Sequence, residues 1–90
     1  MTITSISEDI KKEVKRCIDK GIEAVNKYGS NCIELNIDYS NEDDFKGVIM
    51  FHSRHNSFSI CELDVDLNND EIKDYVMKEF EEAEIDICEN

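Results

Sequence analysis

A chain of 90 residues and 10.4 kDa has room for one small domain and excludes a second core or a deep active-site cleft. Twenty-two Asp and Glu against ten Lys and Arg give a formal charge of −12, and 40% hydrophobic residues suffice for a modest core, which argues against disorder throughout. No apolar run approaches the roughly 18 residues that cross a bilayer, and Met1–Asp9 lacks the basic start and apolar centre of a secretory leader; the expectation is a soluble, cytoplasmic protein.

Apolar Ile10, Val14, Cys17, Ile18, Ile22, Val25 and Tyr28 recur at mostly three- and four-residue steps and predict an amphipathic helix over about 7–28. Ser5-Ile6-Ser7-Glu8 reads as a capping box at its start. Lys27 and Gly29 mark its end, the glycine as a left-handed cap. From Cys32 the period becomes two: Ile33, Leu35, Ile37 and Tyr39 alternate with Glu34, Asn36 and Asp38, the pattern of a strand with one buried face. Ser40–Asp44 is a polar, acidic turn. Phe45–Ser53 is apolar on both parities, as a central strand is, and Phe58–Val65 follows a short polar stretch as a third strand.

Asn68-Asn69-Asp70-Glu71 supplies an Asx cap and acids suited to a helix N-terminus, so a second helix is expected over about 69–83. Ile85 and Ile87 alternate with polar neighbours, and 84–90 reads as a short extended segment or a tail. The expected fold is α+β, a single domain over 1–90 with its core in about 7–83. It runs α-β-β-β-α, with a three-stranded antiparallel sheet packed against two helices and the other sheet face open to solvent.

Cys17, Cys32, Cys61 and Cys88 lie 15, 29 and 27 residues apart, with no C-x-x-C pair for zinc or dithiol redox chemistry. Reduced thiols filling the core are expected, with Cys88 the most exposed of the four. His52 and His55 form H-x-x-H, but two imidazoles without a third ligand fit an exposed turn better than a metal site. Asp64–Asp70 places oxygen side chains at alternate positions like a calcium loop, yet Asn69 stands where the turn needs Gly and Tyr75 where a bidentate Glu belongs. A strand end entering a helix cap explains the segment. Nothing resembles a phosphate-cradling loop or a nucleophile elbow. No enzyme activity, catalytic residue, metal or cofactor is expected.

The charge is unevenly placed. Residues 1–30 hold six bases and five acids, whereas residues 31–90 hold four bases and 17 acids. A field of that sign repels nucleic acid and anionic lipid and steers the chain toward basic surfaces. Direct nucleic-acid or membrane binding is therefore not expected. Carboxylates spread over a sheet and a helix can compete with phosphates for the Arg and Lys side chains of a nucleic-acid-binding protein. The residues expected to bind such a partner are Glu42, Asp43, Asp44, Glu62, Asp64, Asp66, Asp70 and Glu71.

In architecture, length and charge, about residues 7–83 resemble the small acidic phage-encoded anti-CRISPR inhibitors that act as DNA mimics. Asn41-Glu42-Asp43-Asp44 and Glu62–Glu71 are comparable in position to the acidic segments of those inhibitors, and the basic first helix departs from a uniformly acidic mimic. The resemblance implies a non-enzymatic inhibitor that blocks DNA binding by a CRISPR effector nuclease in the host cytoplasm. The same element order also looks like a double-stranded-RNA-binding domain, but Asn68-Asn69-Asp70-Glu71 stands where that domain carries phosphate-binding bases. Two other readings fit the sequence: an immunity protein or antitoxin that neutralises a cationic nuclease toxin, and a structural or assembly module that self-associates through Ile6 and Ala24. The oligomeric state is left open.

Overall fold

A computed structural model of the protein describes residues 6–38 and 46–89. Helix α1 spans Glu8–Tyr28 and is followed by a 3-10 turn, Ser30–Cys32. Strands β1 (Ile33–Asp38), β2 (Lys46–His52) and β3 (Ser57–Leu63) come next, then helix α2 (Asp70–Glu82) and strand β4 (Asp86–Glu89).

The cap of α1 is Ser7, whose hydroxyl accepts the N–H of Ile10; Ser5, which opens the expected capping box, lies outside the described residues. Gly29 closes the helix at φ 99° and ψ 148°, a positive φ that glycine tolerates, although the conformation is not the left-handed helical one expected. Asn69 caps α2 as the sequence predicts, its side-chain oxygen accepting from the N–H groups of Glu71 and Ile72.

The sheet has four strands and is mixed, in the order β3-β2-β1-β4, which corrects the expected three-stranded antiparallel sheet. β1, β2 and β3 form the expected antiparallel meander, and β4 adds to the outer edge of β1 in parallel, with Leu35 opposite Ile87. The cause is the burial of Ile85, 3% exposed, and the packing of Ile87 against the core. Once α2 has crossed the sheet, these two side chains draw the chain back along β1, and pairing satisfies backbone groups that would otherwise form an open edge.

Both helices cover the same sheet face. Ile33, Leu35, Ile37, Ile49, Cys61 and Leu63 from the strands, Val14, Cys17 and Ala24 from α1, and Ile72, Val76 and Phe80 from α2 belong to one buried cluster. Of the two apolar positions offered for self-association, Ala24 is buried in this cluster and Ile6 packs partly against it. Gly21 lets α1 approach the sheet: a Cβ there would stand 2.8 Å from the Ile85 Cδ1 atom. Among the described residues, no helix is long and apolar enough to cross a membrane.

Candidate functional site

Strand register builds the face of the sheet opposite the helices. One row across it is Glu62, Val48, Asn36 and Cys88, and the next is Ser59, Met50, Glu34 and Asp86. Alternation along β1 puts Asp38 on the same side as Glu34 and Asn36. Val48 and Met50 are half-buried at the centre, while Asp38, Glu62 and Asp86 are exposed around them. The result is a small apolar centre ringed by carboxylates.

Side-chain contacts tie this face together. The Nε2 of His52 pairs with Oε1 of Glu34, and its Nδ1 lies 2.9 Å from the Ser57 hydroxyl. The Glu34 carboxylate, by its charge first and by hydrogen bonding, raises the Cys88 thiol above its ordinary pKa, with desolvation adding to the effect. Cys88 on β4 and Cys32 in the 3-10 turn are half-buried, whereas Cys17 and Cys61 are buried, and all four cysteines are free.

The end of the sheet where β1 stops carries a second group of acids. Asp38 lies opposite Lys46, Gly47 opposite Leu63, and Ile37 opposite both Gly47 and Glu89, so β1, β3 and β4 all finish here and β2 starts here. The β3–α2 connection, with Asp64 and Asp66, leaves from this end. α2 starts beside it, with Lys73 Nζ 3.3 Å from the Glu89 carboxylate. α1 joins through Glu13, whose carboxylate accepts the Asp64 N–H at 2.9 Å and is held by two Arg16 hydrogen bonds, also at 2.9 Å. The Tyr75 phenol on α2 is raised above its usual pKa, by burial first and then by the charges of Glu79 and Glu8.

Of the eight residues expected to bind a partner, Glu42, Asp43 and Asp44 lie outside the described residues. Glu62 stands on the open sheet face; Asp64, Asp66, Asp70 and Glu71 are all exposed and follow one another from the end of β3 into the first turn of α2. Asp66 also has a local task, since its Oδ1 accepts the Asn68 N–H at 3.0 Å. With Asn69 committed to the α2 cap, two oxygens of the calcium-like segment are spent on backbone N–H groups. Among the described residues, no three His, Cys, Asp or Glu side chains converge as metal ligands.

Glu34 and Asp38 are legible as outward-facing from strand parity alone. Asp86 and Glu89 are not, because their position depends on β4. Sequence reasoning also missed an aromatic trio at the opposite end of the sheet. There Phe51 and Phe58 stack at 4.7 Å, and Tyr28 tilts against Phe51 at the same centroid distance. Tyr28 and Phe58 are 40% and 43% exposed, and Lys27 Nζ lies 5.2 Å from the Tyr28 ring centroid. The signal was present as three aromatics near strand and helix ends, but only the β2–β3 register brings them together.

An array of this kind can accept hydrogen bonds from guanidinium and ammonium groups, with Val48 and Met50 offering a little apolar area at its centre. Comparison with protein families, curated proteins and solved structures finds no match to this chain.

Proposed function

We propose that the protein is a non-enzymatic acidic inhibitor that binds a basic, nucleic-acid-binding protein, and specifically a phage anti-CRISPR protein that blocks DNA binding by a CRISPR effector nuclease. The observation that carries the reading is the open sheet face, where Glu34, Asp38, Glu62 and Asp86 surround Val48 and Met50 and, among the described residues, no helix covers them. Asp64, Asp70 and Glu71 extend the array around the end of the sheet, and the charge of −12 supplies the long-range field. Like charges crowded in this way oppose the compact fold, a cost that a binding role offsets. In the complex, Arg and Lys side chains that would neutralise phosphates pair with carboxylates, so DNA and the inhibitor exclude each other.

The test is phage plating on a host with active CRISPR immunity. Expression of the protein restores plaque formation, and a variant with Glu62, Asp64, Asp70 and Glu71 changed to Gln or Asn restores it at least tenfold less well. Unaltered immunity in hosts of every effector class tested overturns the anti-CRISPR reading. Protection of a host from a co-expressed nuclease toxin in that same panel would assign the acidic surface to an immunity protein instead.

A further inference from the structure

Cys17 on α1 and Cys61 on β3 are 44 residues apart in the chain, yet their sulfur atoms lie 3.0 Å from each other in the core. A disulfide needs about 2.05 Å, so closing the pair takes a movement of roughly 1 Å, within reach of small side-chain rotations. The two sulfurs are not equivalent. Cys17 is fully buried, and burial, before any other cause, pushes its thiol well above the ordinary range. Cys61 is 7% exposed and sits beneath the guanidinium of Arg16, whose Nη1 donates to the Cys61 sulfur at 3.2 Å while Nη2 donates to the Glu62 carbonyl at 3.1 Å. The Arg16 side chain is half exposed, so its displacement uncovers Cys61 while Cys17 stays behind it.

We propose that Cys17 and Cys61 form a modification site, at which hydrogen peroxide joins them in a disulfide that fastens α1 to β3. Hydrogen peroxide is uncharged and has only two heavy atoms, small enough to reach Cys61 once the Arg16 side chain moves aside. The Cys61 sulfur attacks one peroxide oxygen and the O–O bond breaks. The departing hydroxide takes the thiol proton and leaves as water, and the oxygen transferred to sulfur keeps its own hydrogen, so that Cys61 becomes a sulfenic acid. Cys17 then attacks the Cys61 sulfur, the S–O bond breaks, and the hydroxide released takes the Cys17 thiol proton to form a second water. Two electrons pass from the sulfurs to peroxide, and two thiols and one peroxide yield one disulfide and two waters. Placement of Cys17 within contact of Cys61 makes this second step faster than further oxidation of the sulfenic acid. Cys32 and Cys88 belong to other parts of the fold, the 3-10 turn and β4, and take no part.

The experiment treats the reduced, full-length protein with hydrogen peroxide, alkylates the remaining thiols after denaturation, and maps the peptides by mass. The expected result is one intramolecular Cys17–Cys61 linked peptide, with Cys32 and Cys88 alkylated. A rise in Tm of roughly 20 °C, the order implied by closing a loop of this length, accompanies it and disappears on adding dithiothreitol. The same linkage and Tm rise persist in the Cys32→Ser/Cys88→Ser variant, and Cys61→Ala abolishes both. Recovery of Cys17 and Cys61 as alkylated thiols, as sulfinic or sulfonic acids, or in a bridge between two chains overturns the proposal. Because wild-type mapping needs no substitution, the outcome does not depend on whether a variant folds.

Discussion

The backbone N–H of Ile85 donates to the carbonyl of Phe80 across 3.0 Å, and one residue earlier the N–H of Glu84 donates to the carbonyl of Glu81 at the same distance. These two bonds are a Schellman closure of α2, and both Phe80 and Ile85 bury their side chains in the core. Such a closure requires a left-handed residue, and Glu84 supplies it at φ 60° without being glycine. The turn sends the chain back along β1 and places Asp86 beside Glu34.

Glu84 is therefore strained, and Glu84→Gly is expected to stabilise the protein by about 0.5–1 kcal/mol, since glycine adopts this conformation without a Cβ penalty. Urea unfolding measures the change. Glu84→Gln, which removes the charge and keeps the strain, separates the two causes and is expected to recover less than half of the gain.

Ile85 is the anchor of the same return. Ile85→Ala is expected to cost about 2–4 kcal/mol through the cavity it leaves. Its Cδ1 is also the atom that a Cβ on Gly21 would meet at 2.8 Å. Gly21→Ala is accordingly expected to be more favourable by at least about 0.5 kcal/mol in an Ile85→Val background than in the wild type, a coupling that a double-mutant cycle reads directly.

Gly47 faces three core leucines, and a Cβ at this position would stand 3.2 Å from Leu35, 3.3 Å from Leu63 and 3.4 Å from Leu67. Because these side chains are fully or almost fully buried, they have little space in which to yield. Gly47→Ala is expected to lower stability by about 1–3 kcal/mol, and thermal unfolding checks it.

The hydrogen bond from Arg16, followed by the Asp64 N–H bond and the Arg16 charge, holds the Glu13 carboxyl below its usual pKa of 4.5 against a smaller opposing effect of burial. A carboxyl whose folded pKa lies below its unfolded value contributes stability that is fully present above about pH 4.5 and is lost as pH falls through the lower folded value. The difference in unfolding free energy between wild type and Glu13→Gln should therefore be constant from pH 7 to about pH 5 and shrink below about pH 4.5. A difference that grew in acid would contradict the clamp.

Much of the fold is legible along the chain because burial imposes simple periods. The three- and four-residue steps of Ile10, Val14, Cys17 and their neighbours mark α1, and the alternation of Ile33, Leu35 and Ile37 marks β1. β4 escaped a firm reading for a physical reason: the turn before it uses Glu84 where glycine would have announced a helix stop, and four residues are too few for alternation to declare a strand. The acids fared likewise. Strand parity and the cap at Asn69 marked Glu62 and Asp70 as outward-facing, whereas the alignment of Asp86 with Glu34 depends on a pairing between distant segments. The Cys17–Cys61 contact and the Glu13–Arg16–Asp64 clamp are likewise products of α1 lying on β3, which no local pattern encodes.

The central claim, that carboxylates on the open sheet face compete with DNA for a basic protein, is tested most directly by DNA binding to a purified, guide-loaded CRISPR effector nuclease. The protein is titrated in at about 0.1 M and about 0.5 M salt, beside a variant carrying Glu34→Gln, Asp38→Asn, Glu62→Gln and Asp86→Asn whose fold is verified by circular dichroism. The account predicts that the wild type displaces DNA at the lower salt, that displacement weakens at least tenfold at the higher salt, and that the variant is at least tenfold weaker than wild type at the lower salt. Equal displacement by the folded variant and the wild type, or no displacement by the wild type at the lower salt, would contradict it.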